Sequence, residues 1–208
     1  MIVDLRSDTV TKPTEAMLSA MSKAKVGDDI LGDDPTVIEL EEKAAQLFRH
    51  EAALFCPSGT MTNQIAIKVH TNAPGEVICS ELAHIYRYEG GGIAFNSGLS
   101  NRLIQDDRGR FTVDQLAKEI NPDDIHFPPT QLVALENTCN KGGGCYWDIN
   151  TIKEIKQFCE SKNLPLHLDG ARIYNALVAS GVSSQEMGSQ FDSVSLCLSK
   201  GLGAPVGS

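Results

Sequence analysis

Along its 208 residues this chain alternates short apolar runs with segments that repeat apolar residues at helical spacing, and that alternation constrains the fold more than any other feature. Residues 52–56, 76–79, 131–135, 164–168 and 194–198 read as strands. Pro13 opens a helix with Ala16, Met17, Ala20, Met21 and Ala24 on one face, and Asp34-Pro35 caps a second with Val37, Leu40, Ala44, Leu47 and Phe48 on its buried stripe. Residues 61–69 continue the helical pattern, and residues 95–104 read as short strand and loop. Thr112-Val113-Asp114 caps a helix through Ile120, and Asn150 caps a helix over 152–159 with Ile152, Ile155 and Phe158 as its core stripe. Helices inserted between strands return the chain across a sheet, so the pattern predicts an α/β fold of three layers, a mostly parallel sheet with helices on both faces. Residues 1–208 read as a polar N-terminal arm plus one large domain, with no internal repeat or linker.

Composition narrows the partners. The net charge is −9, from 18 basic and 27 acidic side chains, and no lysine or arginine cluster is dense enough to track phosphates, which argues against nucleic acid or an anionic membrane. No apolar run approaches the roughly 20 residues of a membrane span, and the first residues lack the basic start and apolar centre of a signal peptide. The expected compartment is the cytoplasm. Six cysteines, at 56, 79, 139, 145, 159 and 197, show no C-x-x-C and sit mostly in apolar segments, as reduced core residues do. The five histidines show no metal-ligand spacing, so no metal is expected.

Polar motifs recur where the strands end. Pro57-Ser58-Gly59-Thr60 turns a strand into a helix, which offers free N–H groups and a helix dipole to a phosphate, or simply an N-cap. His84 follows the second strand, Glu136-Asn137-Thr138 ends another, and Asp169-Gly170-Ala171-Arg172 ends the next. Lys200 lies between Ser199 and Gly201, and no other charged residue follows Asp192. It is either a lysine snorkelling to water or a desolvated amine nucleophile. A parallel sheet brings all these ends to one crevice. A phosphate cradle, a flat side chain able to stack, an acid and a secluded lysine together fit pyridoxal 5′-phosphate: the lysine holds the aldehyde, the acid keeps the ring nitrogen protonated, and the helix end takes the phosphate.

Several stretches carry a resemblance. Asp4-Leu5-Arg6-Ser7-Asp8-Thr9-Val10-Thr11, Val26-Gly27-Asp28-Asp29, Gly32-Asp33-Asp34-Pro35-Thr36, Pro57-Ser58-Gly59-Thr60, Leu135-Glu136-Asn137-Thr138, His167-Leu168-Asp169-Gly170-Ala171-Arg172 and Leu198-Ser199-Lys200-Gly201-Leu202-Gly203 stand in this order along the chain. Together they resemble the low-specificity L-threonine aldolase family of fold type I pyridoxal-phosphate enzymes. The resemblance implies that Lys200 carries the cofactor, Asp169 pairs with its ring nitrogen, His84 stacks on the ring, and Ser58, Gly59 and Thr60, with Arg172 beside them, line its binding site. It further implies that Ser7 and Arg172 hold the substrate carboxylate and that His126 lies near the substrate hydroxyl, either histidine being a candidate base.

The implied reaction is the reversible cleavage of L-threonine or L-allo-threonine to glycine and acetaldehyde, in a homodimer or homotetramer whose sites use more than one subunit. Two residues depart from many relatives: Leu31 replaces a tyrosine and Cys139 a histidine. The small C-terminal domain of the family, with a second carboxylate-binding arginine, is expected to be missing from residues 1–208. The alternatives are a truncated, non-catalytic cofactor-binding or interaction protein, and another reaction of the same cofactor, such as transamination.

Overall fold

The computed structural model describes residues 3–208, which leaves the apolar start at Met1 and Ile2 outside it. In chain order the elements are α1 (Glu15–Lys23), α2 (Pro35–Phe48), α3 (Gly59–His70), β1 (Gly75–Ser80), α4 (His84–Arg87), α5 (Gly92–Ser97), β2 (Leu99–Ile104), α6 (Val113–Glu119), β3 (Thr130–Glu136), α7 (Ile149–Ser161), β4 (Leu166–Gly170), α8 (Ile173–Ser180), α9 (Ser184–Gly188) and β5 (Ser193–Leu196). The five strands form one sheet in the order β2-β1-β3-β4-β5, and every pairing is parallel. Each parallel pair needs a crossover, and the crossovers carry the helices that cover the sheet.

Two apolar clusters show that both faces are covered. On one face Ile78, Val133, Leu135, Leu166 and Leu168 pack with Leu116 of α6, Ile152 and Ile155 of α7, Ala176 of α8 and Met187 of α9. On the other, Val77, Cys79, Leu132 and Ala134 pack with Ile67 of α3, Ile85 of α4 and Ile93 of α5. Neighbouring strand residues belong to opposite clusters, as the two-residue period of a strand requires. β4 breaks the apolar pattern on the second face: Leu166 and Leu168 point to the first cluster, while His167 and Asp169 are buried toward α3. The strand order turns back between β1 and β3, and in open α/β sheets ligands bind in the crevice beyond the strand ends at such a point.

The sequence reading differs from this fold in several places. Residues 52–56 lie in no helix or sheet strand; Cys56 instead exchanges backbone hydrogen bonds of 2.9 and 2.8 Å with Ser208. Phe95 falls in α5, and strand β2 begins only at Leu99. The first helix starts after Thr14, whose hydroxyl caps it by accepting from the Met17 amide at 3.2 Å, and none of its residues is buried. In α2 only Ala45 and Phe48 are buried. Val37, Leu40 and Ala44 of its stripe are half-buried and α9 packs beside it, whereas the stripe of α1 has no other described element over most of it. β5 stops at Leu196, two residues short of the strand read over 194–198, and Lys200 stands on the turn that follows. The cap of α7 is Asp148, whose Oδ1 accepts from the amides of Asn150 and Thr151 at 2.8 and 3.3 Å. Asp148 and Asn150 are both good caps, and the carboxylate at the earlier position also complements the helix dipole.

Asp148→Ala should therefore cost about 1 kcal/mol of stability in urea unfolding, and Asn150→Ala less than about 0.5 kcal/mol. The opposite ranking would reject the cap assignment.

Candidate active site

The carboxyl ends of β1, β3, β4 and β5 bring together most of the residues singled out from the sequence. Ser58 caps α3, its hydroxyl accepting from the Met61 amide at 3.3 Å. The amides of Gly59 and Thr60 have no hydrogen-bond partner among the described residues, so the first turn of this helix presents donors. A Cβ at Gly59 would lie 2.6 Å from Cys197 Sγ and 3.3 Å from Ser208 Oγ, so only glycine fits there. The same sulfur lies 3.1 Å from Lys200 Nζ. Cys197 therefore places the lysine amine beside the amino end of α3. The lysine turn is also held by Thr11, whose hydroxyl donates to the Lys200 carbonyl at 2.7 Å.

A buried polar cluster occupies the space between α3 and the strand ends. Asn63 Nδ2 donates to Asp169 Oδ2 and to Glu89 Oε1, both at 2.9 Å. Gln64 Nε2 donates to Glu89 Oε2 at 2.6 Å, and His84 Nδ1 lies 3.0 Å from Glu89 Oε1. Asp169 Oδ1 accepts from the Ala171 amide at 3.1 Å. The hydrogen bond to Glu89 raises the His84 pKa above its ordinary value, against the opposing effect of burial. Next to Asp169 in the β3–β4 register, Glu136 accepts from the amides of His84 and Asn140 at 2.9 and 3.0 Å. Burial first, and the charge of Asp169 second, push the Glu136 carboxyl up to about 7. His84, Glu89 and Asp169 offer ligand atoms within 4.8 Å of one another, a convergence that sequence spacing did not predict. Asn63 and Gln64 already donate into that cluster.

The arm reaches the same rim. Arg172 donates to Asp8 through Nε at 2.6 Å and Nη2 at 2.8 Å, a bidentate grip on a carboxylate. This pairing holds the Asp8 pKa below the usual carboxylate range. Ser7 is adjacent but exposed, and its hydroxyl caps the short turn that follows by accepting from the Thr9 amide at 3.2 Å. His126 is elsewhere: it lies in the loop before β3, at the amino ends of the strands, exposed and paired with Asp124 at 2.8 Å. Within one chain the fold does not bring it to the crevice.

Sequence reasoning missed Asn63, Gln64, Glu89 and His167. Asn63 and Gln64 sit inside an amphipathic helix among ordinary polar residues, and Glu89 precedes the glycines at 90–92, so neither stretch signals burial. His167 did carry a signal, a polar residue two positions before Asp169 on a buried strand, hence on the same face. The assembled residues fit pyridoxal phosphate. The unpartnered amides of Gly59 and Thr60 suit a phosphate, Asp169 supplies a buried acid, His84 a ring, and Lys200 an amine beside the helix end.

Comparisons with known proteins show the family and the fold. The family model described as Beta-eliminating lyase matches residues 4–208. The low specificity L-threonine aldolase of Escherichia coli K12 is 47% identical over 208 residues, covering 100% of this chain and 62% of its own length. The probable low-specificity L-threonine aldolase 2 of Arabidopsis thaliana is also 47% identical, over 99% of this chain and 59% of its own. This chain thus spans about three-fifths of the curated relatives it matches. The threonine aldolase of Leishmania major superposes with a TM-score of 0.86 over 97% of this chain and 59% of that one, at 21% identity, a likeness of fold. From a family match that runs through the arm, the helix-end turn, the Asp169 strand and the lysine turn, the chain belongs to the beta-eliminating lyase family.

Proposed function

We propose that these residues form the cofactor-binding part of a pyridoxal-phosphate-dependent aldehyde lyase that cleaves L-threonine or L-allo-threonine to glycine and acetaldehyde. The observation that carries the reading is the placement of the Lys200 amine, through Cys197, at the amino end of α3, on the crevice where Asp169 and His84 also lie. The names of the relatives, low-specificity L-threonine aldolases, support the choice of substrate.

In this reading Lys200 holds the cofactor aldehyde, the amides of Gly59 and Thr60 after Ser58 hold its phosphate, Asp169 holds its ring nitrogen and His84 packs on the ring. When bound, pyridoxal phosphate supplies an electron sink for the pair left on the substrate α-carbon. The chain's own residues do the rest. Arg172, already shaped to grip a carboxylate, takes that of the substrate together with Ser7, and so orients the bond to be broken. His84 commits Nδ1 to Glu89, which leaves Nε2 to accept the β-hydroxyl proton as the carbon–carbon bond opens.

We further propose a cytoplasmic homodimer or homotetramer. All six cysteines are unpaired thiols, which suits a reducing compartment, and no helix among the described residues is long and apolar enough to cross a membrane. The uncovered apolar stripe of α1 supplies surface for another copy. His126 acts at a site only from a neighbouring subunit, since its own chain holds it at the opposite sheet edge.

In the full-length polypeptide, Lys200→Ala should abolish the visible absorbance of bound cofactor and reduce acetaldehyde release from threonine to background. A keto acid product in place of acetaldehyde would turn the reading toward transamination. Cofactor binding without any turnover would leave a non-catalytic protein.

Glu89→Gln should lower the His84 pKa, seen directly by NMR titration, and move the acid limb of the kcat/KM profile to lower pH. The sign follows from a folded pKa above the ordinary 6.5. The His84–Glu89 pair stabilises the fold fully below about pH 6.5 and loses that contribution as pH rises through the folded value. An unmoved titration would remove Glu89 from the mechanism.

A further inference from the structure

The hydrogen bonds that reach Asp169 belong to a longer chain that starts at the other end of the sheet. His70, the last residue of α3, has Nε2 2.8 Å from Ser193 Oγ. The same hydroxyl lies 2.8 Å from His167 Nδ1, and His167 Nε2 lies 3.1 Å from Asn63 Oδ1. Asn63 then donates to Asp169 and Glu89. His70 and Ser193 stand at the amino edge and Asp169 at the carboxyl edge, so the chain crosses the sheet beneath α3.

The proton positions in this chain are fixed by the chemistry of its members. Two carboxylates face one nitrogen of Asn63, so that nitrogen is the NH₂ group and both of its hydrogens are used. The remaining Oδ1 can only accept, so His167 Nε2 carries a hydrogen. His167 is fully buried, and burial pushes its pKa down to about 4, which leaves it neutral with a bare Nδ1. That bare nitrogen accepts from the Ser193 hydroxyl, which in turn accepts from His70 Nε2–H. Every donor therefore points toward Asp169.

We infer that His70, Ser193, His167 and Asn63 form a one-way hydrogen-bond relay, with Asn63 as the positioning residue that holds Asp169 as a double acceptor, one oxygen on Asn63 and the other on the Ala171 amide. Asp169 Oδ2 accepts from Asn63 and Oδ1 from Ala171, so the lone pairs left toward the crevice can be filled only by another donor. The relay rests on the proposed function at one point: the donor it selects is a protonated ring nitrogen, the form in which a pyridine ring withdraws electrons.

The test uses the full-length polypeptide, labelled with ¹⁵N-histidine and examined with and without pyridoxal phosphate. At pH 7 the ¹⁵N shifts of His167 should show a protonated Nε2 and a bare Nδ1 in both samples. A protonated Nδ1, or protons on both nitrogens, would overturn the relay whether or not the cofactor binds. Asn63→Leu, which keeps the side-chain volume and removes the amide, should weaken pyridoxal phosphate binding about tenfold or more. It should also shift the pH at which the bound cofactor's absorbance changes. Wild-type affinity with an unshifted absorbance profile in that variant would remove Asn63 from its role. If the wild-type protein takes up no pyridoxal phosphate, the proposed function falls, and the His167 shifts still decide the relay.

Discussion

Asp169 and Glu89 are buried carboxylates that share one donor group, the side-chain amide of Asn63, and the organisation of the crevice depends on that sharing. A charge moved out of water is tolerated only if it is hydrogen-bonded, and a buried group left short of a partner costs about 1–3 kcal/mol. Asn63 meets two such demands from the middle of α3. The requirement fixes the helix in both position and rotation, because its amide must face β4 while its amino end faces the lysine turn. Ser195 makes a second pin, its hydroxyl 2.6 Å from that of Thr62.

The two faces of the sheet consequently have different characters. The face under α6, α7, α8 and α9 is held by apolar packing, with Trp147 and Phe111 edge to face at 5.2 Å between centroids. The face under α3 is apolar only around β1 and β3 and becomes a hydrogen-bonded seam along β4 and β5. Packing of the first kind tolerates substitutions that keep its volume, whereas the seam depends on donor and acceptor identity at each position.

Much of this was legible in the sequence, because strand and helix periods are local properties. The parallel sheet, the helix-end turn at Ser58, and the strand ends at His84 and Asp169 all follow from alternation and turn residues within a few positions. The seam was not legible. Asn63, Glu89 and Asp169 lie 26 and 106 residues apart in their pairings, and nothing local marks a polar residue on an amphipathic helix as buried. The uncovered stripe of α1 and the misplaced strand at residues 52–56 share one cause: apolar periodicity marks a segment's apolar face but not whether anything covers it or pairs with it. His126 shows the complementary limit. A resemblance assigns it a role, yet its position before β3 sets it at the far edge of the sheet in its own chain.

The arm has a consequence for the order in which the site can be built. Thr11 bonds to the carbonyl of Lys200 across 189 positions, and Arg172 grips Asp8 across 164. β1, β3 and β4 can pair while the chain is still being synthesised, since each docks against strands already made. The arm, although translated first, has no lysine turn to close on until Lys200 has left the ribosome. The nascent chain therefore carries its buried carboxylates and the amino end of α3 before the arm can close on the turn that bears Lys200.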